Sequence, residues 1–125
     1  MPHYEKRCSD PWFSIIQLGL KDREGRFNVG DFAKMQKGDT ILFTNDMFGF
    51  RREFAVEVTS TKTYPSFDAY LRGEGLEKCL PSIDTIEHGI AVYRKYFDEE
   101  SERKFGVVSV RLRVLCDECK DKISQ

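Results

Sequence analysis

The densest group of chemically capable side chains lies early in the chain, in Gly19-Leu20-Lys21-Asp22-Arg23-Glu24-Gly25-Arg26. Arg26 could hold a phosphate or a polar base edge in two-pronged geometry, with Lys21 as a point charge beside it. Glu24 could accept hydrogen bonds from an exocyclic amine, or steer a water as general base. A surface ion-pair network beside a helix end uses the same residue types at the same spacing. Glu87 is a second candidate acid, although as the third residue of a helix it could instead complete a cap with Asp84. Phe48 and Phe50 flank Gly49, and Arg51 and Arg52 follow directly, so a turn there would put cations beside aromatic faces able to stack on a base. Arg111 and Arg113 share one face of the last strand, where they could extend a basic surface or simply face solvent. Cys116-Asp117-Glu118-Cys119 is a single C-x-x-C pair. Only Cys8, Cys79, His3 and His88 remain to complete a zinc set, and the βαβ context of a redox motif is missing. Neither a metal nor another cofactor is expected.

Several short elements must position these groups. A helix is predicted over 11–18, with Asp10 as N-cap, Pro11 in the first position, and Trp12, Ile15 and Ile16 on one apolar face. Gly19 can take the left-handed conformation that ends it. The charged stretch 21–27, broken by Gly25, reads as an irregular strand or bulge and not as a core strand. Lys37-Gly38-Asp39 feeds an apolar strand over 40–44, and Asn45-Asp46 with Gly49 marks the next turn. Phe54, Val56 and Val58 then alternate with polar or small residues, the period of a half-buried strand. Ser66 caps a helix running to about Gly73. Another follows Pro81, capped by Asp84, with Ile86, Ile90, Tyr93 and Phe97 as a buried stripe. The acidic-then-basic run 98–104 reads as a solvated turn. Gly106 opens the last strand, where Val108, Val110, Leu112 and Val114 alternate with Ser109, Arg111 and Arg113. These readings divide the chain into a polar segment 1–10, a domain 11–115 and a polar tail 116–125. Strands on both sides of a helical insertion fit an α+β domain, built as a small mixed β-barrel with flanking helices.

Composition narrows the functions. A chain of 125 residues is the size of one domain, and 40% hydrophobic with 13% aromatic residues is enough to fill a core. The formal net charge of -1 supplies no bulk basic field, so a nucleic-acid partner must meet a local cationic surface. No apolar run approaches the length of a membrane helix, and the first ten residues lack the core of a secretory signal. The expectation is an intracellular protein, cytoplasmic or nuclear, with no membrane partner. The oligomeric state is not written in these patterns.

Gly19, Lys21, Glu24 and Arg26 match the G-x-K-x-x-E-x-R signature of ASCH domains, relatives of the RNA-binding PUA fold. The resemblance continues in family order through Lys37-Gly38-Asp39, Ser66-Phe67, Leu80-Pro81, Tyr93-x-x-Tyr96 and Gly106-Val107-Val108. It covers about 12–114 and looks most like the compact archaeal and viral-type single-domain members. It implies a PUA-like β-barrel with a cleft beside the signature, in which Lys21, Glu24 and Arg26 bind RNA or a nucleotide in RNA metabolism or its regulation. Some bacterial members hydrolyse the amide of N4-acetylcytidine with the signature Lys, a Thr and a glutamate on the later helix. Lys21 matches that Lys, and Glu87 stands at the family glutamate's spacing from Tyr96. Glu24 occupies the threonine position, which removes the hydroxyl nucleophile. The alternative expectation is therefore a small amidohydrolase acting on N4-acylated cytidine-type nucleosides. In it, Glu24 or Glu87 activates water and Lys21 stabilises the oxyanion.

Overall fold

The computed structural model describes residues 2–115. Its framework is five strands: β1 (His3–Arg7), β2 (Arg23–Phe27), β3 (Thr40–Asn45), β4 (Arg52–Tyr64) and β5 (Val107–Leu115). They form one sheet in the order β1-β3-β4-β5-β2, with β1 parallel to β3 and every other pairing antiparallel. The sheet curls into a half-barrel with helices against it, the α+β architecture expected from the pattern. A bulge between Val58 and Ser60 lets the long β4 bend while it stays paired with β5.

Alternation along the strands sends Ile41, Phe43, Phe54, Val56, Val58, Val108, Val110 and Leu112 into the concave core. Helix α1 (Trp12–Gln17) plugs this core with Phe13 and Ile16, both fully buried, and the Phe13 ring meets Phe54 edge-on at 4.8 Å. The helix starts one residue later than expected, with Pro11 and not Asp10 at the cap position; the Asp10 carboxylate still accepts from the backbone N–H of Ser14 at 3.1 Å and from its hydroxyl at 2.7 Å. Gly19 has φ +81°, the left-handed conformation foreseen beyond the helix end. A short α2 (Gly30–Lys34) follows β2.

A second core covers the other face of the sheet. Helices α3 (Phe67–Glu74), α4 (Leu76–Cys79) and α5 (Ile86–Arg94) bring Phe67, Tyr70, Leu71, Leu80 and Tyr93 together over Val107. Ser66 caps α3, accepting from the Ala69 N–H at 3.0 Å. The expected stripe is present on α5 as far as Tyr93, which is buried, with Ile86 and Ile90 partly buried; the helix ends at Arg94, earlier than expected, and Phe97 packs partly buried from the segment that follows.

Four local expectations are corrected. Within the 21–27 stretch, Arg23–Phe27 is a regular edge strand, paired residue by residue with β5, because the domain buries its charges at Arg23 and Glu24. The run 98–104 is helical, α6 (Glu99–Phe105): Asp98 caps it, and acidic residues in its first turn with basic ones in its last complement the helix dipole. Thr85, not Asp84, caps α5, accepting from the His88 N–H at 3.1 Å. Residues 3–7, read as part of a polar segment, add a strand; their side chains alternate between exposed and half-buried, so no apolar run marks them.

Candidate functional site

Strands β1 and β2 are the two edges of the sheet, and the half-barrel leaves a seam between them. A recess of about 600 Å³ opens at this seam. Lys21, Glu24 and Arg26 all line it. Alternation on β2 explains why: Glu24 and Arg26 pair in register with the inward-facing Val110 and Val108, while Arg23 and Gly25 take the opposite face against α3. Gly25 must lack a side chain there, since a Cβ would lie 2.6 Å from Cε2 of Tyr70. That close approach seats β2 on the helical layer and holds its neighbours toward the recess.

Lys21 is buried at 2% exposure, and its ammonium donates to the carbonyls of Arg23 and Cys79, each at 2.5 Å. Burial pushes its pKa down, while the Glu24 carboxylate 3.9 Å away acts in the opposite direction. Its two hydrogen bonds tie the start of β2 to the end of α4. Glu24 is 6% exposed and accepts from Nη2 of Arg26 at 3.3 Å. Arg26 spans the seam, its Nη2 reaching the Arg7 carbonyl at 3.4 Å and its guanidinium lying 4.8 Å over the Phe32 ring. Formally the trio carries one net positive charge.

Aromatic side chains wall the recess: Trp12 from α1, Tyr93 from α5, and Tyr96 and Phe97 from the turn after it. Tyr96 is 58% exposed at the mouth. The Tyr93 ring stacks on Phe67 at 4.5 Å, so the wall is backed by core. Burial drives the Tyr93 hydroxyl pKa well above the ordinary tyrosine value, and the nearby Glu24 charge adds to the effect. Cys8 and Arg7 close the β1 side. Burial raises the Cys8 thiol to about 12, which keeps it protonated and unreactive.

The other candidate residues lie elsewhere. Glu87 is exposed on α5 and is not part of the recess wall. Phe48 and Phe50 are exposed at 63% and 59%, as the turn implied, with the Arg52 guanidinium between the Phe13 and Phe48 rings at 4.8 and 4.7 Å. Each of the four outer arginines has a carboxylate partner: Arg51 has Glu5 and Glu53, Arg52 has Asp10, Arg111 has Glu74, and Arg113 has Glu57. None of them lines the main recess; Arg111 borders a smaller one of about 150 Å³ with Glu74 and Ser109. Cys116 and Cys119 lie outside the described residues. Among the described residues, no three His, Cys, Asp or Glu gather as metal ligands. Sequence reasoning assigned Trp12 and Tyr93 to apolar packing faces, weighed Cys8 only as a zinc ligand and passed over Arg7. The Tyr93-x-x-Tyr96 spacing, with its second tyrosine exposed, was the available signal for the wall.

Residues 7–114 match the ASCH domain. The chain belongs to the ASCH family. The family is generally associated with RNA binding. Among solved structures, this ASCH chain resembles the hypothetical protein PH0355 at 33% identity and a TM-score of 0.81, over 90% of this chain and 99% of that one. Protein PF0455 from Pyrococcus furiosus is 35% identical with a TM-score of 0.73, over 90% and 97%. An ASCH domain from Lactobacillus crispatus shares the fold at 19% identity and a TM-score of 0.53, over 90% and 79%. No curated protein matches the chain. No helix among the described residues is long and apolar enough to cross a membrane.

Proposed function

We propose that this ASCH domain is an RNA- or nucleotide-binding module of RNA metabolism that takes a single nucleobase into the seam between β1 and β2. One observation carries the reading: the signature residues Lys21, Glu24 and Arg26 line one aromatic-walled recess of about 600 Å³. Aromatic faces supply sequence-tolerant stacking, and a carboxylate beside a guanidinium supplies hydrogen bonds to a polar base edge. Arg7, at the rim and in a solvent-exposed ion pair with Asp46 at 2.8 Å, is the recess cation best placed to exchange that partner for a phosphate of the same nucleotide.

The hydrolytic alternative draws less support. Glu87 stands away from the recess, and two of the three ammonium protons of Lys21 are taken by main-chain carbonyls. Lys21 is also a poor residue to test by truncation, because its loss would leave two buried carbonyls without a donor. Arg26 and Tyr96 are better probes. Arg26→Ala should weaken binding of single-stranded RNA in a fluorescence titration and flatten its salt dependence if it meets phosphate. Tyr96→Ala should cost about 1–3 kcal/mol of affinity if a base stacks on it. Both variants should melt near the parent temperature. Affinities unchanged in both folded variants would remove the assignment, and release of cytidine from N4-acetylcytidine by the parent protein would revive the hydrolase.

A further inference from the structure

The feature that goes beyond general nucleotide binding is the unfilled hydrogen-bonding capacity of Glu24. An ionised carboxylate offers about four lone-pair positions and no donor. Among the described residues only one hydrogen bond reaches this one, from Arg26 to Oε2 at a long 3.3 Å. Oε1 has Lys21 as its nearest cation at 3.9 Å, outside hydrogen-bond distance, and that ammonium is held by the carbonyls of Arg23 and Cys79. Lys21 therefore balances the charge of Glu24 without saturating it. The open oxygen of this carboxylate, 6% exposed and lining the recess, is available to N–H donors of a ligand. Beside it, Arg26 uses only Nη2 for Glu24 and for the Arg7 carbonyl, so its other N–H groups remain for an acceptor.

The recess thus presents two acceptor oxygens and then a donor group, side by side. Guanine carries the complement on its Watson–Crick edge: two adjacent donors, N2–H and N1–H, followed by the O6 acceptor. Cytosine has one donor followed by two acceptors, uracil has one donor between two acceptors, and adenine has one donor and one acceptor. Each of these would leave a Glu24 oxygen facing a base acceptor or no partner. Resting on the reading of the recess as a nucleobase site, we infer that its ligand is a guanine nucleotide, read by Glu24 at N1–H and N2–H and by Arg26 at O6.

The test is an NMR titration of the intact protein with GMP, IMP, XMP, AMP, CMP and UMP. GMP should bind about tenfold or more tighter than AMP, CMP and UMP, as a bidentate base contact discriminates. IMP, which lacks the N2 amine, should fall between. Glu24→Gln places an amide N–H where xanthine has a carbonyl, so this variant should lose GMP affinity and gain XMP affinity. A purely structural role for Glu24 would not produce that exchange. The parent titrations decide the question if the variant does not fold. AMP, CMP or UMP binding as tightly as GMP overturns the guanine assignment and leaves the nucleotide reading standing. No binding by any nucleotide overturns both.

Discussion

At the scale of single residues, the site is built from side chains whose surroundings change what they can do. Lys21 read in isolation is a mobile surface cation; in the fold its ammonium is clamped by two carbonyls and its long stem is buried. Glu24 and Arg26 were legible as a chemical pair, because residues two apart on a strand share a face. Their partner Gly25 was legible only as a breaker, whereas its role is to admit the Tyr70 ring. Gly25→Ala brings a methyl to 2.6 Å from that ring, so β2 or α3 must shift. The expected cost is about 1–3 kcal/mol, in the range of core overpacking, read as a lower midpoint in urea denaturation. Weaker ligand binding should accompany it, since the same shift moves Glu24 and Arg26. Glu87 marks the opposite case: spacing to a tyrosine suggested a role, and the helix turns its side chain to solvent.

At the scale of elements, the strongly periodic pieces were legible and the charged ones were not. Strand β3 announces itself as a short apolar run after a turn, β4 and β5 by alternation, and α3 by its serine cap. Helix α6 was hidden because its polar residues carry no apolar stripe. What holds it is tertiary: the Glu102 carboxylate accepts from the Phe67 N–H at 2.6 Å and pairs with Arg94 at 2.7 Å. The junction of α1 with β4 depends on Asp10 and Arg52, 2.5 Å apart. The Arg52 hydrogen bond holds the Asp10 carboxyl below its usual range, against the opposing effect of burial. A depressed folded-state pKa stabilises above the unfolded value and is lost as pH falls through the folded one. Thermal stability should therefore decline as pH drops from roughly 5 toward 2, and Asp10→Asn should make that decline shallower. Melting curves across this window check both.

At the scale of the whole molecule, the recess exists because the sheet stops short of closing. A continuous β1–β2 ladder would fill the seam with hydrogen bonds and leave no place for a ligand. The parallel edge strand β1 is thus part of the site, carrying Arg7 and leading directly into Cys8. Deleting residues 1–7 should abolish RNA binding and lower the melting temperature, while far-UV circular dichroism retains the helical signal of the second core. A truncated protein that binds like the parent would separate β1 from the site. The sequence alone determined the class of fold, the apolar faces of its principal strands, and the cluster from Lys21 to Arg26, because periodicity and residue chemistry are local. It did not determine that α1, the turn after α5 and both sheet edges converge on that cluster, nor that Glu87 stays outside. Those outcomes depend on how far the sheet curls and where two distant edges stop, and such contacts between remote segments leave no short-range pattern in the chain.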